Sequence, residues 1–341
     1  MIRAIVIICF VINIYQISVG QEINKNLLPE ISQHDTDHFQ IRINKPSSSP
    51  ITILQVTDLH LGSTDEGKWK KDIITFRRIK QLVDTYNPDM IAITGDLLTG
   101  EKPFGALLCA SVVNFFDGLE RPWLYVFGNH DPEGGFGRDQ IAEVFAVSKW
   151  GVLGKHTVEN EHTKKYDYMV DLIYEGGEAP AWQIYGFDSG SQEGFKSIKE
   201  DQLQWYKEVS EQTVRQYGGP VRAISIFHIP LIEYQYLKDD NTIKKYGESR
   251  EKVYYEEDDG SVYQAFLDVG NIEAVFVGHD HYNNYWGTYK GGIILAYGFI
   301  SGEATKYAWP PGGKLITLPG DGAEIQMKNV SPDYREEDYG Y

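Results

Sequence analysis

Short apolar runs alternate with longer amphipathic segments from residue 51 onward. The runs ITILQVT, MIAIT and WLYVF are rich in β-branched and aromatic residues, which is typical of buried strands. Between and after these runs, apolar side chains recur at helical spacing in residues 68–86, 104–119 and 139–147. This β-α-β-α order predicts a parallel sheet that is covered by helices on both faces.

The second half of the chain continues this alternation and then changes to strands alone. Strands are predicted at residues 182–187, 223–227 and 273–277, and helices at residues 200–216 and 262–269. Gly/Pro turns separate four further predicted strands, at residues 285–289, 293–297, 314–318 and 324–328. Because no internal repeat or sharp change of composition divides the chain, a single domain from residue 51 to residue 330 is predicted.

The two ends of the chain differ from this domain. Residues 1–20 have the pattern of a secretory signal, with Arg3, a short apolar run and small residues before Gln21. The run is shorter than the ~20 residues that a membrane span needs, which disfavours a membrane anchor. Residues 21–50 are polar and are interpreted as an N-terminal segment or linker, or an edge segment, and residues 331–341 as an acidic tail. A secreted or lumenal protein is expected.

Charge and cysteine content narrow the classes of partner and scaffold. The 341 residues carry 32 Lys and Arg against 49 Asp and Glu, a formal net charge of −17. Duplex nucleic acid and anionic membranes repel such a chain, so no nucleic-acid duplex and no stable membrane insertion are expected. Cys9 lies in the predicted signal and Cys109 in an apolar helix, which excludes a disulfide scaffold. No oligomeric state is predicted.

Polar motifs follow five of the predicted strands, at the point where each strand ends. They are TDLH, GDLL, GNHD, FHIP and GHDH. Open α/β sheets bind ligands at the carboxyl ends of their strands, so the motifs are expected to converge on one crevice. Each motif alone is common by chance, and it is their combination that carries the prediction. The expected crevice residues are Asp58, His60, Asp96, Asn129, His130, Asp131, His228, His279, Asp280 and His281.

This set of imidazole and carboxylate groups predicts two metal ions, with iron, zinc and manganese as candidates. A carboxylate can face two cations at once, and Asp96 is the predicted bridge between them. In an extended segment residues i and i+2 point the same way, so both side chains of a DxH or HxH pair are expected to turn inward. The predicted ligands are Asp58, His60 and His281 for one ion, and Asn129, His228 and His279 for the other.

The motif series resembles that of the calcineurin-like metallophosphoesterase superfamily, in which DxH, GDxx, GNH(D/E), a single His and GHxH follow in this order. Residues 227–318 are more narrowly similar to the single-domain purple acid phosphatase relatives of plants, fungi and protists. Two departures separate the chain from true purple enzymes. His60 stands where they have a glycine, and Thr99 where they have the tyrosine that ligates ferric iron. The resemblance therefore implies a metal site without tyrosine.

The resemblance also implies a fold and a chemistry. The fold is an α/β one, a four-layer α/β/β/α sandwich with two mixed β-sheets. The chemistry is hydrolysis of a small-molecule or protein phosphoester by a metal-bound hydroxide. His130 would contact a phosphate oxygen or protonate the leaving group and Asp131 would orient His130, so these two are the predicted catalytic residues. Asn129, His130 and Arg138 are the predicted substrate-binding residues, with a surface charge as the alternative role of Arg138.

Three functions remain open on the sequence alone. An acid-phosphatase-like hydrolysis of phosphomonoesters is preferred because of the similarity to purple acid phosphatase relatives. A phosphodiesterase or pyrophosphatase that acts on nucleotide or lipid head-group esters comes second. An inactive binding protein on the same fold comes third, because none of the seven expected ligands is missing. The charged, tyrosine-rich residues 230–260 are interpreted as either a lid over the crevice or a surface excursion.

Overall fold

The computed structural model describes residues 29–62, 68–99, 104–154, 166–191, 194–306, 308–320 and 322–332. The predicted signal at residues 1–20 and the predicted tail from residue 333 onward lie outside these described residues. Within the described part of the chain, none of the helices combines the length and the apolar character that crossing a membrane requires.

The described residues form fifteen strands and six helices. The strands are β1 (Glu30–Gln33), β2 (His38–Ile43), β3 (Ile51–Val56), β4 (Met90–Thr94), β5 (Trp123–Val126), β6 (Gly151–Val152), β7 (Tyr168–Tyr174), β8 (Trp182–Gly186), β9 (Ala223–Ile226), β10 (Lys245–Tyr246), β11 (Ile272–Val277), β12 (Trp286–Thr288), β13 (Ile294–Tyr297), β14 (Gly313–Leu318) and β15 (Gln326–Val330). The helices are α1 (Lys68–Tyr86), α2 (Gly105–Asp117), α3 (Arg138–Phe145), α4 (Glu200–Tyr217), α5 (Ile232–Asp239) and α6 (Ser261–Val269). A short 3-10 turn spans Lys290–Gly292.

Both sheets are mixed. The nine-stranded sheet has the order β1-β2-β7-β8-β9-β11-β13-β12-β10, and the six-stranded sheet has the order β15-β14-β3-β4-β5-β6. In the smaller sheet β3, β4, β5 and β6 are parallel, while β14 pairs with β3 in the antiparallel sense. In the larger sheet β8, β9, β11 and β13 are parallel, and β7 and β12 flank them as antiparallel neighbours. The carboxyl ends of the parallel strands therefore share one edge in each sheet.

Three apolar clusters separate four layers. Successive residues of β3 point to opposite faces, so that Leu54 packs against the helices α1 and α2 while Ile53 packs between the two sheets. Ile226 of β9 meets Ile53 in the cluster between the sheets. On the outer face of the larger sheet, Val275 packs with Tyr206 of α4 and other side chains of the outer helices. The predicted four-layer α/β/β/α sandwich with two mixed sheets is confirmed.

The domain begins earlier than the predicted residue 51. Strand β2 pairs in parallel with β7 over residues 38–43, and its side chains alternate between half-buried and buried. Ile41 is fully buried, whereas β1 is mostly exposed at the edge of the sheet. Residues 30–43 are thus an edge segment of the larger sheet and not a linker. Residues 38–43, HFQIRI, alternate polar and apolar side chains, which is the pattern of a strand with one solvent-facing side.

Residues 230–260 divide into parts that are packed into the fold and a surface part, since most of residues 241–250 are exposed. They contain α5, and β10 pairs with β12 at the far edge of the larger sheet. Tyr234 is fully buried, and its hydroxyl donates to the carbonyl of Val275 at 2.9 Å. The amino group of Lys245 donates to the carbonyl of Asp240 at 2.6 Å and closes the turn after α5. Tyr234 is thus a core residue, whereas Tyr236, Tyr246 and Tyr254 are exposed.

Candidate metal centre

The five motifs converge where the carboxyl ends of β3, β4 and β5 in one sheet face those of β9 and β11 in the other. The side-chain amide of Gln55, buried in β3, donates to the carbonyl of Val277 at the end of β11, 3.1 Å away. The same amide donates to the hydroxyl of Thr94 in β4 at 2.9 Å. Gln55 thereby joins the two sheets directly beneath the crevice. The predicted convergence of the motifs is observed.

The backbone at the site is strained. Asp58, His60, Asp96 and His279 have φ angles of 54°, 48°, 48° and 77°, in the left-handed region that non-glycine residues rarely adopt. Such conformations cost on the order of 1–3 kcal/mol each and concentrate at functional sites. The predicted extended geometry of the DxH and HxH pairs is therefore wrong. Left-handed turns, and not the alternation of a strand, direct these side chains inward.

Two glycines allow the chain to pass directly against the ligand side chains. A Cβ atom at Gly128 would lie 2.1 Å from the backbone nitrogen of Asp96. One at Gly278 would lie 2.1 Å from the Thr57 hydroxyl and 2.8 Å from the carboxylate of Asp58. Both positions exclude any larger residue because the neighbours are backbone or buried side chains.

One group of potential metal donors consists of Asp58, His60 and His281, whose donor atoms lie within 4.8 Å of one another. The Nε2 atom of His281 is 3.1 Å from Nε2 of His60 and 3.4 Å from Oδ1 of Asp58. On its outer side, Nδ1 of His281 contacts the hydroxyl of Thr305 at 3.0 Å. The ring of His281 is thus held from behind while its Nε2 faces the other donors.

The second group consists of Asp96, His228 and His279, also within 4.8 Å. Nε2 of His228 is 3.2 Å from Oδ2 of Asp96 and 3.3 Å from Nδ1 of His279. The side-chain oxygen of Asn129 lies 3.0 Å from Nε2 of His228 and 2.8 Å from Nδ1 of His279, so Asn129 completes the group as predicted. Oδ2 of Asp96 is also 3.7 Å from Nε2 of His60 in the first group. Asp96 therefore lies between the two groups, as a bridging carboxylate must.

The residues fit two cations. Nδ1 of His228 is 2.8 Å from the carbonyl of Thr94 and must carry a hydrogen to make this contact. In neutral His228 the Nε2 lone pair then faces the oxygens of Asp96 and Asn129, which carry lone pairs of their own. The Nε2 atoms of His60 and His281 also converge, 3.1 Å apart, with Oδ1 of Asp58 3.4 Å from Nε2 of His281. A cation among these atoms would be bound by several of these lone pairs at once, and mixed imidazole and carboxylate donors suit zinc, iron or manganese.

The electrostatics of the site also favour a positive charge at its centre. Burial works against the charge on His228, but Asp96 and Asp58 dominate and raise the pKa of His228 to about 10. Burial likewise opposes ionisation of Asp96, but His228 holds the pKa of Asp96 well below its usual value. Burial lowers the pKa of His60 to about 4, which leaves this imidazole neutral and available as a ligand. The buried carboxylates thus attract a cation into the site.

His130 lies beside the first group, and an unexpected residue orients it. Its ring centre is 5.5 Å from that of His60, and its backbone nitrogen donates to Oδ1 of Asp96 at 2.8 Å. Nδ1 of His130 contacts Oε1 of Glu133 at 2.6 Å. The ring is about one-third exposed, which leaves it accessible to a substrate. Glu133 was not predicted, although an acidic residue three positions after the histidine in a tight turn is a readable signal.

The predicted role of Asp131 in orienting His130 is wrong. Its fully buried carboxylate accepts the backbone N–H groups of Leu98 at 2.8 Å and Gly128 at 2.6 Å. Burial, together with the nearby charge of Asp96, raises the pKa of Asp131 to about 6. Asp131 therefore ties together the loops that carry Asp96 and Asn129. Asp280 also faces away from both groups and accepts the hydroxyl of Tyr297.

Arg138 does not have the surface position of its alternative predicted role. Its guanidinium pairs with the fully buried carboxylate of Asp188 at 2.5 Å and lies 5.2 Å from the ring centre of Phe127. The charge is thus paired inside the protein and is not a surface charge. Asp188 follows β8 in the same way that the five motifs follow their strands, and it is not among the predicted site residues. Next to it, the hydroxyl of Ser189 accepts the backbone N–H of Ile229, which positions the His228 turn.

Comparison with known proteins agrees with this geometry. The model of the family described as calcineurin-like phosphoesterase matches residues 51–283. The chain belongs to the calcineurin-like phosphoesterase family. Among relatives of this phosphoesterase is a protein of Arabidopsis thaliana named probable inactive purple acid phosphatase 28, which is 31% identical and matches over 77% of this chain and 75% of its own length.

Two other similarities concern more distant proteins. Phosphatase DCR2 of Saccharomyces cerevisiae is 24% identical over 72% of this phosphoesterase, which spans 46% of the length of DCR2. Among solved structures, a dimetal phosphatase from Danio rerio superposes with a TM-score of 0.53 at 13% identity. That match covers 82% of this chain and 99% of the zebrafish chain, and it shows that the fold is shared. The predicted similarity to purple acid phosphatase relatives of plants is confirmed.

Proposed function

We propose that this calcineurin-like phosphoesterase is a dinuclear metal-dependent phosphomonoesterase. The observation that carries the proposal is the pair of buried donor groups that meet at Asp96, within reach of the partly exposed His130. Two ions held in such groups would supply Lewis-acid activation of a phosphoester and of the attacking water. Iron, zinc and manganese are the proposed ions because of the mixed imidazole and carboxylate donors.

His130 is the proposed proton donor to the leaving group. Glu133 accepts a hydrogen bond from Nδ1 of His130, so that Nε2 is the nitrogen left to face a bound phosphoester. The amide of Asn129 and the ring of His130 are the proposed contacts of the phosphate, and Arg138 is not among them because Asp188 holds its charge. A general acid positioned in this way contributes about 10²–10⁴ in rate.

The name of the Arabidopsis thaliana relative favours a second candidate, an inactive binding protein on the same fold. Loss of metal donors would be the expected cause of inactivity, but this chain retains all seven of the predicted ones, and they lie together. Retention of the whole donor set supports a working enzyme. The similarity to acid phosphatase relatives supports a phosphomonoester as its substrate and places phosphodiester or pyrophosphate cleavage second.

The experiment is a combined measurement of metal content and hydrolysis on the purified protein. We expect about two metal equivalents per chain, and faster hydrolysis of p-nitrophenyl phosphate than of bis(p-nitrophenyl) phosphate. Faster hydrolysis of the diester would favour the phosphodiesterase. Two bound metal equivalents without hydrolysis of either ester would favour the inactive protein, provided that the result is the same with zinc, iron and manganese. Less than one equivalent in folded, metal-supplemented protein would contradict the dinuclear centre.

Secretion is a separate proposal, which rests on the signal pattern of residues 1–20. Cleavage before Gln21 is expected on expression in a eukaryotic cell. Sequencing the amino terminus of the protein recovered from the medium tests this expectation, and retention of Met1 on protein found only inside the cell would contradict it.

A further inference from the structure

The carboxylate of Glu256 lies beside one of the metal-donor histidines. Its Oε1 atom is 3.7 Å from Nε2 of His279. The opposite nitrogen of the same ring, Nδ1, faces Asn129 at 2.8 Å and His228 at 3.3 Å, so Nδ1 is the nitrogen that points to the proposed metal position. Nε2 therefore points away from the metal position and toward Glu256.

The local fold holds Glu256 in this place. Its φ angle is 51°, so it shares with His279 the left-handed conformation that is unfavourable for such residues. Hydrogen bonds fix the chain on both sides of it. Before it, the backbone N–H of Tyr254 donates to Asp280, next to His279, at 3.2 Å. After it, the carboxylate of Asp258 accepts the backbone N–H of Ile232 at the start of α5, at 2.8 Å. Because the backbone of Glu256 is strained and hydrogen bonds hold the chain on both sides of it, we infer that the position of Glu256 matters for the site.

The other histidines with a described outer contact have neutral partners. Nδ1 of His228 donates to the backbone carbonyl of Thr94, and Nδ1 of His281 contacts the hydroxyl of Thr305. His279 faces a carboxylate instead. It belongs to the group that contains the neutral amide of Asn129, so this group carries less negative charge of its own than a group with two carboxylates. A negative charge behind His279 offsets that difference.

We infer that Glu256 is a positioning residue for His279, an inference that rests on the proposed dinuclear centre. The negative charge of Glu256, 3.7 Å from Nε2, favours the hydrogen on that nitrogen, which keeps the lone pair on Nδ1. Carboxylates behind metal-bound histidines act in this way, and their removal typically weakens metal binding 10–100-fold. Lys196 lies on the other side of Glu256, at 4.0 Å from its Oε2 atom, and limits the net charge of the arrangement.

The test is Glu256→Gln, which preserves shape and removes the charge, with Glu257→Gln as the matched control. Glu257 is the next residue in the chain, is about half exposed, and pairs with Lys199 at 2.9 Å instead of with a metal-donor histidine. Both variants and the wild type are titrated with Zn²⁺ by calorimetry after removal of metal. We expect Glu256→Gln to weaken one of two binding events 10–100-fold and to leave the other unchanged. Glu257→Gln should bind both ions as the wild type does.

A merely structural role for Glu256 predicts a different result. It would lower the melting temperature of the metal-free Glu256→Gln protein below that of Glu257→Gln and weaken both binding events together. Either that result or wild-type affinity at both sites would overturn the inference. A wild-type protein that binds fewer than two ions would contradict the proposed function as well. Two tight ions in both the wild type and Glu256→Gln would overturn this inference alone.

Discussion

The carboxylate of Asp96 is the residue on which both donor groups depend. Its Oδ2 atom is 3.2 Å from His228 and 3.7 Å from His60, and its Oδ1 atom accepts the backbone N–H of His130 at 2.8 Å. The left-handed backbone of Asp96 is maintained against its cost by these contacts and by the close approach of Gly128. The side chain of Asp96 thus faces both proposed metal positions and also holds the backbone of His130, the proposed proton donor.

Asp96→Ala is therefore expected to reduce metal binding at both positions, whereas His60→Ala is expected to weaken chiefly one. The reason is that Asp96 faces both groups, while His60 belongs to the first group alone. Elemental analysis after dialysis against metal-free buffer measures the difference, with circular dichroism to confirm that each variant is folded. Two tightly bound ions in Asp96→Ala would show that Asp96 is not a bridge.

Glu133→Gln tests the proposed orientation of His130 without touching a metal donor. The variant should keep two metal equivalents but lose about 10-fold or more in kcat, a part of the 10²–10⁴ expected for His130→Ala. The loss should be larger for phenyl phosphate than for p-nitrophenyl phosphate, because the better leaving group needs no proton. Glu143→Gln, at an exposed position on α3, is the control. Equal losses for the two esters would argue that Glu133 acts on substrate binding instead.

At the scale of elements, a buried ion pair fixes the loop that supports His281. The guanidinium of Arg78 in α1 contacts Glu303 at 2.6 Å and donates to the carbonyl of Pro311 at 3.0 Å. The hydroxyl of Thr75 in the same helix accepts the backbone N–H of Glu303 at 3.0 Å. Thr305, two residues further on, is the outer contact of His281. Helix α1 therefore holds this side of the crevice.

Arg78→Met is expected to destabilise the fold by about 3–5 kcal/mol, because it leaves the buried carboxylate of Glu303 without its arginine. The double variant Arg78→Met/Glu303→Leu should regain much of this loss, since two apolar side chains replace the buried pair. Urea unfolding of the wild type, both single variants and the double variant gives the coupling between the two positions. Equal destabilisation by Arg78→Met and the double variant would show that the Arg78–Glu303 ion pair contributes little to the free energy of unfolding.

Elements could be predicted from the sequence where burial is continuous, and not where it is partial. Strands β4 and β5 consist of fully buried residues, so their apolar runs are unmistakable. Strand β2 does show a readable alternation over six residues, whereas α5 has eight residues and β10 has two, so these two elements give no pattern longer than a turn or a loop would. Tyr234 shows the consequence, because its burial depends on the distant strands β11 and β13.

The site residues that could be predicted lie at strand ends, and most of those that could not lie in loops. The seven metal donors directly follow strands, and strand ends are visible in the sequence. Glu256 lies in a loop without periodicity, and its partner His279 is set by how two loops approach one another in the folded chain. Asp188 does follow a strand, so its position is visible in the sequence in the same way as that of the metal donors. Glu133 is three residues from His130 and gives a local signal, whereas the role of Glu256 requires the structure.

At the scale of the whole molecule, burial of carboxylates makes stability depend on pH. Burial raises the pKa of Asp72 in α1 to about 7, against a usual value of 3.8. Its Oδ2 atom accepts the backbone N–H of Gly62 at 3.0 Å, and its Oδ1 atom has no hydrogen-bond partner among the described residues. Burial also raises the pKa of Glu233 in α5 to about 7, so one such carboxyl lies in each outer helical layer.

Asp72→Asn is expected to flatten the pH dependence of stability. The folded state binds the proton of Asp72 more tightly than the unfolded state does, so this group lowers stability as the pH rises from about 4 to about 7. One pKa unit corresponds to about 1.4 kcal/mol, so the wild type should lose up to a few kcal/mol relative to the variant between pH 5 and pH 8. Urea unfolding at both pH values measures this, with Asp84→Asn, at an exposed position on the same helix, as the control. Parallel pH profiles for the wild type and Asp72→Asn would show that Asp72 is ionised at little cost.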